Sequence, residues 1–219
     1  MRIVIAGGHG KIALLLAELL TGNGNSVVSL IRNPEHAPEV YATGAEPVVL
    51  DLERARIEDL AVTLHGADAA VFAAGAGPGS GTARKYTVDR DGSVLLAEAA
   101  ERAGVRRFVQ ISAMGTGLPP APGSDEVWAA YLDAKTQAED DLRSRDLDWT
   151  ILRPGRLTDS PGTGMVTLAT PRLERGDIAR ADVAAVIATL LGAAHTAQST
   201  LELVAGSAPI AEAVADLRN

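Results

Sequence analysis

Ile3-Val-Ile-Ala-Gly-Gly-His-Gly-Lys-Ile-Ala13 decides how this chain is read. An apolar, mostly β-branched run breaks into Gly7, Gly8 and Gly10, and from Lys11 to Leu20 apolar residues return at helical spacing. The pattern predicts a buried strand, a tight turn and a helix. Glycine has a physical reason here. Without a Cβ it takes positive φ and lets main-chain N–H groups close on an anion. The helix that follows aims the positive end of its dipole at the same point. A pyrophosphate fits such a turn, and Gly7, Gly8, His9, Gly10, Lys11 and Ile12 are the candidate contacts. The spacing Gly7-x-x-Gly10-x-x-Ala13 departs from the strict G-x-G-x-x-G pattern. A strand-to-helix turn without a ligand is therefore the competing reading.

Working outward, the first helix stops at Thr21-Gly-Asn-Gly-Asn25, and residues 26–31 read as the second strand. It runs into Arg32-Asn-Pro-Glu35. In dinucleotide-binding sheets the residue after the second strand meets the adenosine ribose. An acid there accepts the 2′-hydroxyl, and an arginine accommodates a 2′-phosphate. Arg32 therefore predicts NADP (NADPH) over NAD, the alternative being a solvated arginine at a strand end. His9 and Lys11 would add phosphate contacts or face solvent.

Further strands are expected at 47–50, 69–74, 107–111, 149–152 and 201–204, with helices at 35–43, 57–64, 83–103, 127–145, from Asp182 to 191 and 209–217. Small strands near 165–168 and Leu173 would pair with each other. Alternation of strands and helices predicts an α/β fold: a Rossmann-type doubly wound parallel sheet of about seven strands with helices on both faces. Ala73, Ala74 and Gly75 close the fourth strand, at the carboxyl edge where such sheets bind ligands. Their small side chains leave room for a flat ring.

The 219 residues are expected to form one domain, with a small substrate-side part over about 153–180. Cysteine is absent, which excludes disulfides, thiol nucleophiles and cysteine metal sites. The formal charge of −8 argues against a nucleic-acid surface. No apolar run is long enough to span a membrane, and Arg2 followed at once by a short strand does not read as a secretory leader. The four histidines are scattered without ligand spacing, so no metal is expected. A cytoplasmic protein acting on a small-molecule substrate, as monomer or homodimer, is the expectation.

Tyr131 and Lys135, four apart on one helix face, form a second constellation. A free phenol titrates near 10, about three units too high for neutral work. An ammonium at about 4 Å supplies an attraction of that order at an effective dielectric near 20, so Lys135 is expected to lower the Tyr131 pKa. Alone the pair is weak evidence, and a partly buried tyrosine beside a solvated lysine fits as well.

Taken together, Ala6-Gly-Gly-His-Gly-Lys-Ile-Ala13, Asp51-Leu52, Val88-Asp-Arg-Asp-Gly92, Phe108-Val-Gln-Ile-Ser112, Tyr131-Leu-Asp-Ala-Lys135 and Trp149-Thr-Ile-Leu-Arg-Pro-Gly155 resemble the short-chain dehydrogenase/reductase superfamily. The likeness is to its atypical branch of small NAD(P)H-binding, epimerase/dehydratase-like proteins. The resemblance implies that Asp51 and Leu52 lie against adenine, that Ala73, Ala74 and Gly75 pass the adenosine ribose and pyrophosphate, and that Lys135 bonds the nicotinamide ribose. It further implies that Pro154 and Gly155 flank the nicotinamide and that Ile111 and Ser112 contact the cofactor. Tyr131 would donate a proton and Ser112 would orient the acceptor. Asp89 stands where active members carry an asparagine, and Ala113 and Met114 stand where the serine often falls. The chain beyond the sixth strand is too short for the large cap of the sugar-nucleotide enzymes. Two functions remain: an NADP-dependent oxidoreductase passing hydride to a small carbonyl-like or conjugated acceptor, and a catalytically weak NADPH-sensing module that regulates a partner protein.

Overall fold

Side chains alternate along β1 (Arg2–Ala6), and that alternation sets the layers. Ile3 and Ile5 belong to one buried apolar cluster, Val4 and Ala6 to another. The computed structural model describes residues 1–77, 79–119 and 123–218. Its other strands are β2 (Ser26–Ile31), β3 (Glu46–Val49), β4 (Ala69–Phe72), β5 (Arg107–Ile111), β6 (Asp148–Pro154), β7 (Arg156–Thr158), β8 (Met165–Ala169), β9 (Asp177–Ala179), β10 (Ser199–Ala205) and β11 (Ala208–Pro209). The helices are α1 (Lys11–Gly22), α2 (Ala37–Ala42), α3 (Ile57–Leu64), α4 (Thr82–Arg84), α5 (Asp91–Ala103), α6 (Glu126–Arg143), α7 (Arg180–Leu191) and α8 (Ile210–Ala215).

The main sheet runs β11-β8-β10-β6-β5-β4-β1-β2-β3. From β10 to β3 every pairing is parallel, with β8 antiparallel to β10. One face is covered by α1, α7 and α8 through residues such as Leu16, Ile187 and Val214. The other is covered by α3, α5 and α6 through Leu60, Leu96 and Leu142. Strands covered on both faces read as continuous apolar runs, which is the character of β1, β2 and β4. Chain order reverses between β1 and β4, which opens a crevice at their carboxyl ends. Among the described residues, no helix is long and apolar enough to cross a membrane.

The doubly wound sheet stands as expected, with corrections in its margins. It has nine strands rather than seven, because β8 and β11 extend the β10 edge. The strand expected near Leu173 is absent. Leu173 is held instead by its N–H to the Glu202 carboxylate at 2.6 Å. The short strand comes later, as β9, and pairs with β7 in a separate two-stranded sheet. The helix expected over 83–103 is interrupted, since α4 passes through a π-helical turn at Lys85–Arg90 before α5 begins. Asp182 does not open α7 but lies within its first turn, where its carboxylate accepts the N–H groups of Thr163 and Gly164 at 3.0 and 2.8 Å.

Candidate functional site

The turn after β1 is forced by its neighbours. Gly7 has φ +81°, and a Cβ there would stand 2.5 Å from the Ala74 Cα. A Cβ on Gly8 would stand 2.5 Å from the Ser29 Cβ. The backbone closes through Gly8 N–H to the Leu30 carbonyl and Gly10 N–H to the Gly7 carbonyl. Gly10 caps α1 in extended conformation and offers no side-chain acceptor. The first-turn N–H groups are thus left for an outside anion. The donor set and the space only glycine leaves fit a dinucleotide pyrophosphate.

Around this turn the predicted cofactor residues divide. Ile12, Ala73, Ala74, Gly75, Ile111, Ser112, Lys135, Pro154 and Gly155 line one cleft of about 950 Å³. Gly155 is tightly required, because a Cβ on it would run into the Gly176 carbonyl. Gly7, Gly8, Gly10, His9, Lys11, Arg32, Asp51 and Leu52 do not line it. His9 stacks on His36, ring centroids 3.6 Å apart. Lys11 bonds Asp159 at 2.6 Å, and Arg180 holds the other oxygen of the same carboxylate. Arg32 is largely exposed, 3.6 Å from Glu53. Glu53 has closer partners in Arg84 at 2.7 Å and Thr87 at 2.6 Å. Those bonds, Arg84 first, hold its carboxyl below the usual range. Asp51 accepts the Glu53 N–H, and Leu52 packs near Gly92.

The second constellation also lines the cleft. Lys135 is buried and donates to the Ile111 carbonyl at 3.0 Å, with Asp89 at 3.5 Å. Asp89 is itself buried and accepts the Ala76 N–H at 3.1 Å. Burial pulls the Lys135 pKa down, and the Asp89 charge opposes that shift. Tyr131 corrects the expectation drawn from its spacing. The Lys135 Nζ lies 5.9 Å from the ring centroid. Burial, with the Asp89 charge adding to it, raises the phenol pKa rather than lowering it. Asp89 offsets the ammonium that was expected to act on the phenol. Burial and the Asp89 charge both favour the protonated phenol at neutral pH.

Ser112 lines the cleft, but its hydroxyl donates to the Glu139 carboxylate at 2.6 Å. Glu139 is fully buried and also accepts from Arg153 and Arg143. Sequence reasoning missed Glu139, Arg153 and Lys85. A signal for Glu139 existed: it follows Tyr131 and Lys135 at the same four-residue step on one helix face. Lys85 had none, because the π turn that aims it cannot be read from spacing.

A family model described as NAD(P)H-binding matches residues 7–194. A Bacillus subtilis protein named an uncharacterized sugar epimerase is 36% identical over 218 residues, covering 99% of this chain and 100% of its own. A Bacillus halodurans structure labelled an NAD-dependent epimerase/dehydratase superposes with a TM-score of 0.90 at 36% identity, covering 99% of this chain and 100% of that one. The structure of an anaerobillin reductase from Escherichia coli superposes with a TM-score of 0.79 at 25% identity, covering 94% of this chain and 97% of that one.

Proposed function

The chain belongs to the NAD(P)H-binding family, and on that footing we propose that it is an NADP-dependent reductase of a small carbonyl-like or conjugated acceptor. The observation that carries the reading is the cleft itself. A protonated phenol, a buried lysine and the helix that follows the glycine turn meet on its walls. The anaerobillin reductase among the similar structures supports a reductive direction.

The α1 N-terminus and the glycine turn bind the pyrophosphate. Lys135 and Asp89 hold the ribose beside the nicotinamide. Bound there, the nicotinamide supplies hydride. Tyr131 gives its phenolic proton to the acceptor oxygen and is reprotonated from solvent. Ser112, whose proton is donated to Glu139, can take part only as a hydrogen-bond acceptor beside the substrate. Arg32 supports the 2′-phosphate reading, because Glu53 is already satisfied by Arg84 and Thr87 and leaves the guanidinium free to turn.

The test is NADPH oxidation against quinones, aldehydes and conjugated acceptors. Tyr131→Phe should lower kcat by roughly 10²–10⁴-fold, the usual contribution of general acid catalysis, with NADPH affinity unchanged. Because the phenol pKa is raised, the wild-type pH profile should show no Tyr131 ionisation between pH ~6 and ~9. Full turnover in the variant would remove Tyr131 from the mechanism. The Ser112 proton, donated to Glu139, favours the NADPH-sensing module as a second reading. NADPH binding without turnover of any acceptor would select it.

A further inference from the structure

The cleft has positive charge that the cofactor reading leaves unused. Lys85 is 8% exposed, and its Nζ donates to the Gly77 carbonyl at 3.1 Å, lying 5.6 Å from the Tyr131 ring centroid. Among the described residues it has no carboxylate partner. The carboxylates lining the cleft are all engaged. Asp89 pairs with Lys135, Asp125 accepts the Trp128 N–H, and Asp177 pairs with Arg156. A buried ammonium with no counter-ion is an unfavourable arrangement that an incoming anion relieves.

Arg175 differs in being exposed, but it too lacks a carboxylate partner among the described residues. Arg156 and Arg180, the other arginines lining the cleft, each have a carboxylate partner. The Arg175 Nη2 lies 3.3 Å from where a Cβ on Gly115 would stand, so the guanidinium rests over the loop that follows Ser112. Lys85 stands by the Tyr131 ring, and Arg175 and Leu132 both approach Gly115. The walls beside them are apolar: Met114, Val127, Leu157 and Trp128, whose ring lies 5.2 Å from that of Tyr131. The chain carries a formal charge of −8, so this positive character is local and not a general property of the surface.

We propose that Lys85 and Arg175 form a carboxylate subsite, and that the substrate is a flat, apolar acceptor carrying a carboxylate. This rests on the reductase reading above for its direction, but the subsite is defined by the chain alone. Aromatic and apolar walls take the ring, and the two cations fix its acidic end so that the reacting oxygen faces Tyr131.

Calorimetry with 2-naphthoate and its neutral isostere 2-naphthamide tests the subsite, with and without NADPH. Naphthoate should bind at least ~10-fold tighter than naphthamide, within the range of a charge-assisted bond. Lys85→Met should reduce that gap by at least ~5-fold and Arg175→Gln by about 3-fold, naphthamide being unchanged in both. Arg175 lies on an exposed segment, so its variant keeps the test valid if Lys85→Met fails to fold. Equal affinities in the wild type, no saturable naphthoate heat, or a gap that survives both substitutions would overturn the subsite. If NADPH fails to bind while the naphthoate pattern holds, the reductase reading falls and the subsite stands.

Discussion

The glycine turn that abuts Ala74 and the cleft that Ala74 lines are built from different materials. The turn, as the cofactor half of the site, is made of main chain: glycines at Gly7 and Gly8 that admit no Cβ, and a helix N-terminus with no side-chain cap. The substrate half is made of side chains from separate segments: Lys85 from a π turn, Ser112 held by Glu139 of α6, and Arg175 from the connection before β9. Backbone sites tolerate few residues and therefore mark the sequence. Side-chain sites depend on how distant segments pack, and leave little mark before the fold is known.

Glu139→Gln gives the largest expected effect and falls on the side-chain half. The carboxylate is fully buried, with Ser112, Arg153 and Arg143 donating to it. Removing its charge strands the Arg153 guanidinium, while Arg143 keeps Asp140 at 2.9 Å, and breaking such a buried pair costs about 3–5 kcal/mol. A melting curve should shift down by roughly 6–20 °C, at about 2–4 °C per kcal/mol for a chain of this size. Affinity for NADPH should stay within about twofold. A variant that melts like the wild type would show that this network does not support the substrate half.

Gly7→Ala sharpens the opposite half. The new Cβ meets the Ala74 backbone at 2.5 Å in a φ region that disfavours side chains, so the turn must move. Cofactor affinity should fall at least ~100-fold, about 2.7 kcal/mol, by calorimetric titration. Binding retained within tenfold would mean that the turn is not where the phosphates sit.

Legibility follows the same division. The apolar runs of β1, β2 and β4, the α1 start and the stop at Thr21-Gly-Asn-Gly-Asn25 were all readable, because burial on both faces and glycine geometry are local properties. Tyr131 and Lys135 were found from their spacing, but their electrostatics were misread. Asp89, brought in from the π turn, pairs with the ammonium that was expected to act on the phenol. The strand expected near Leu173 failed for a related reason: its N–H is taken by Glu202, a side chain from β10 that no local pattern announces. Arg32 lies between the two cases. Its position at the end of β2 was legible, while the Glu53–Arg84–Thr87 cluster beside it was not.

Calorimetric titration with NADPH and with NADH, on the wild type and on Arg32→Ala, tests the central claim most directly. The account predicts micromolar NADPH binding, tighter than NADH, weakened about tenfold by the substitution, or ~1.4 kcal/mol, with NADH unaffected. Binding of neither cofactor would contradict the glycine turn as a phosphate site, and equal binding of both that ignores Arg32 would contradict the 2′-phosphate contact.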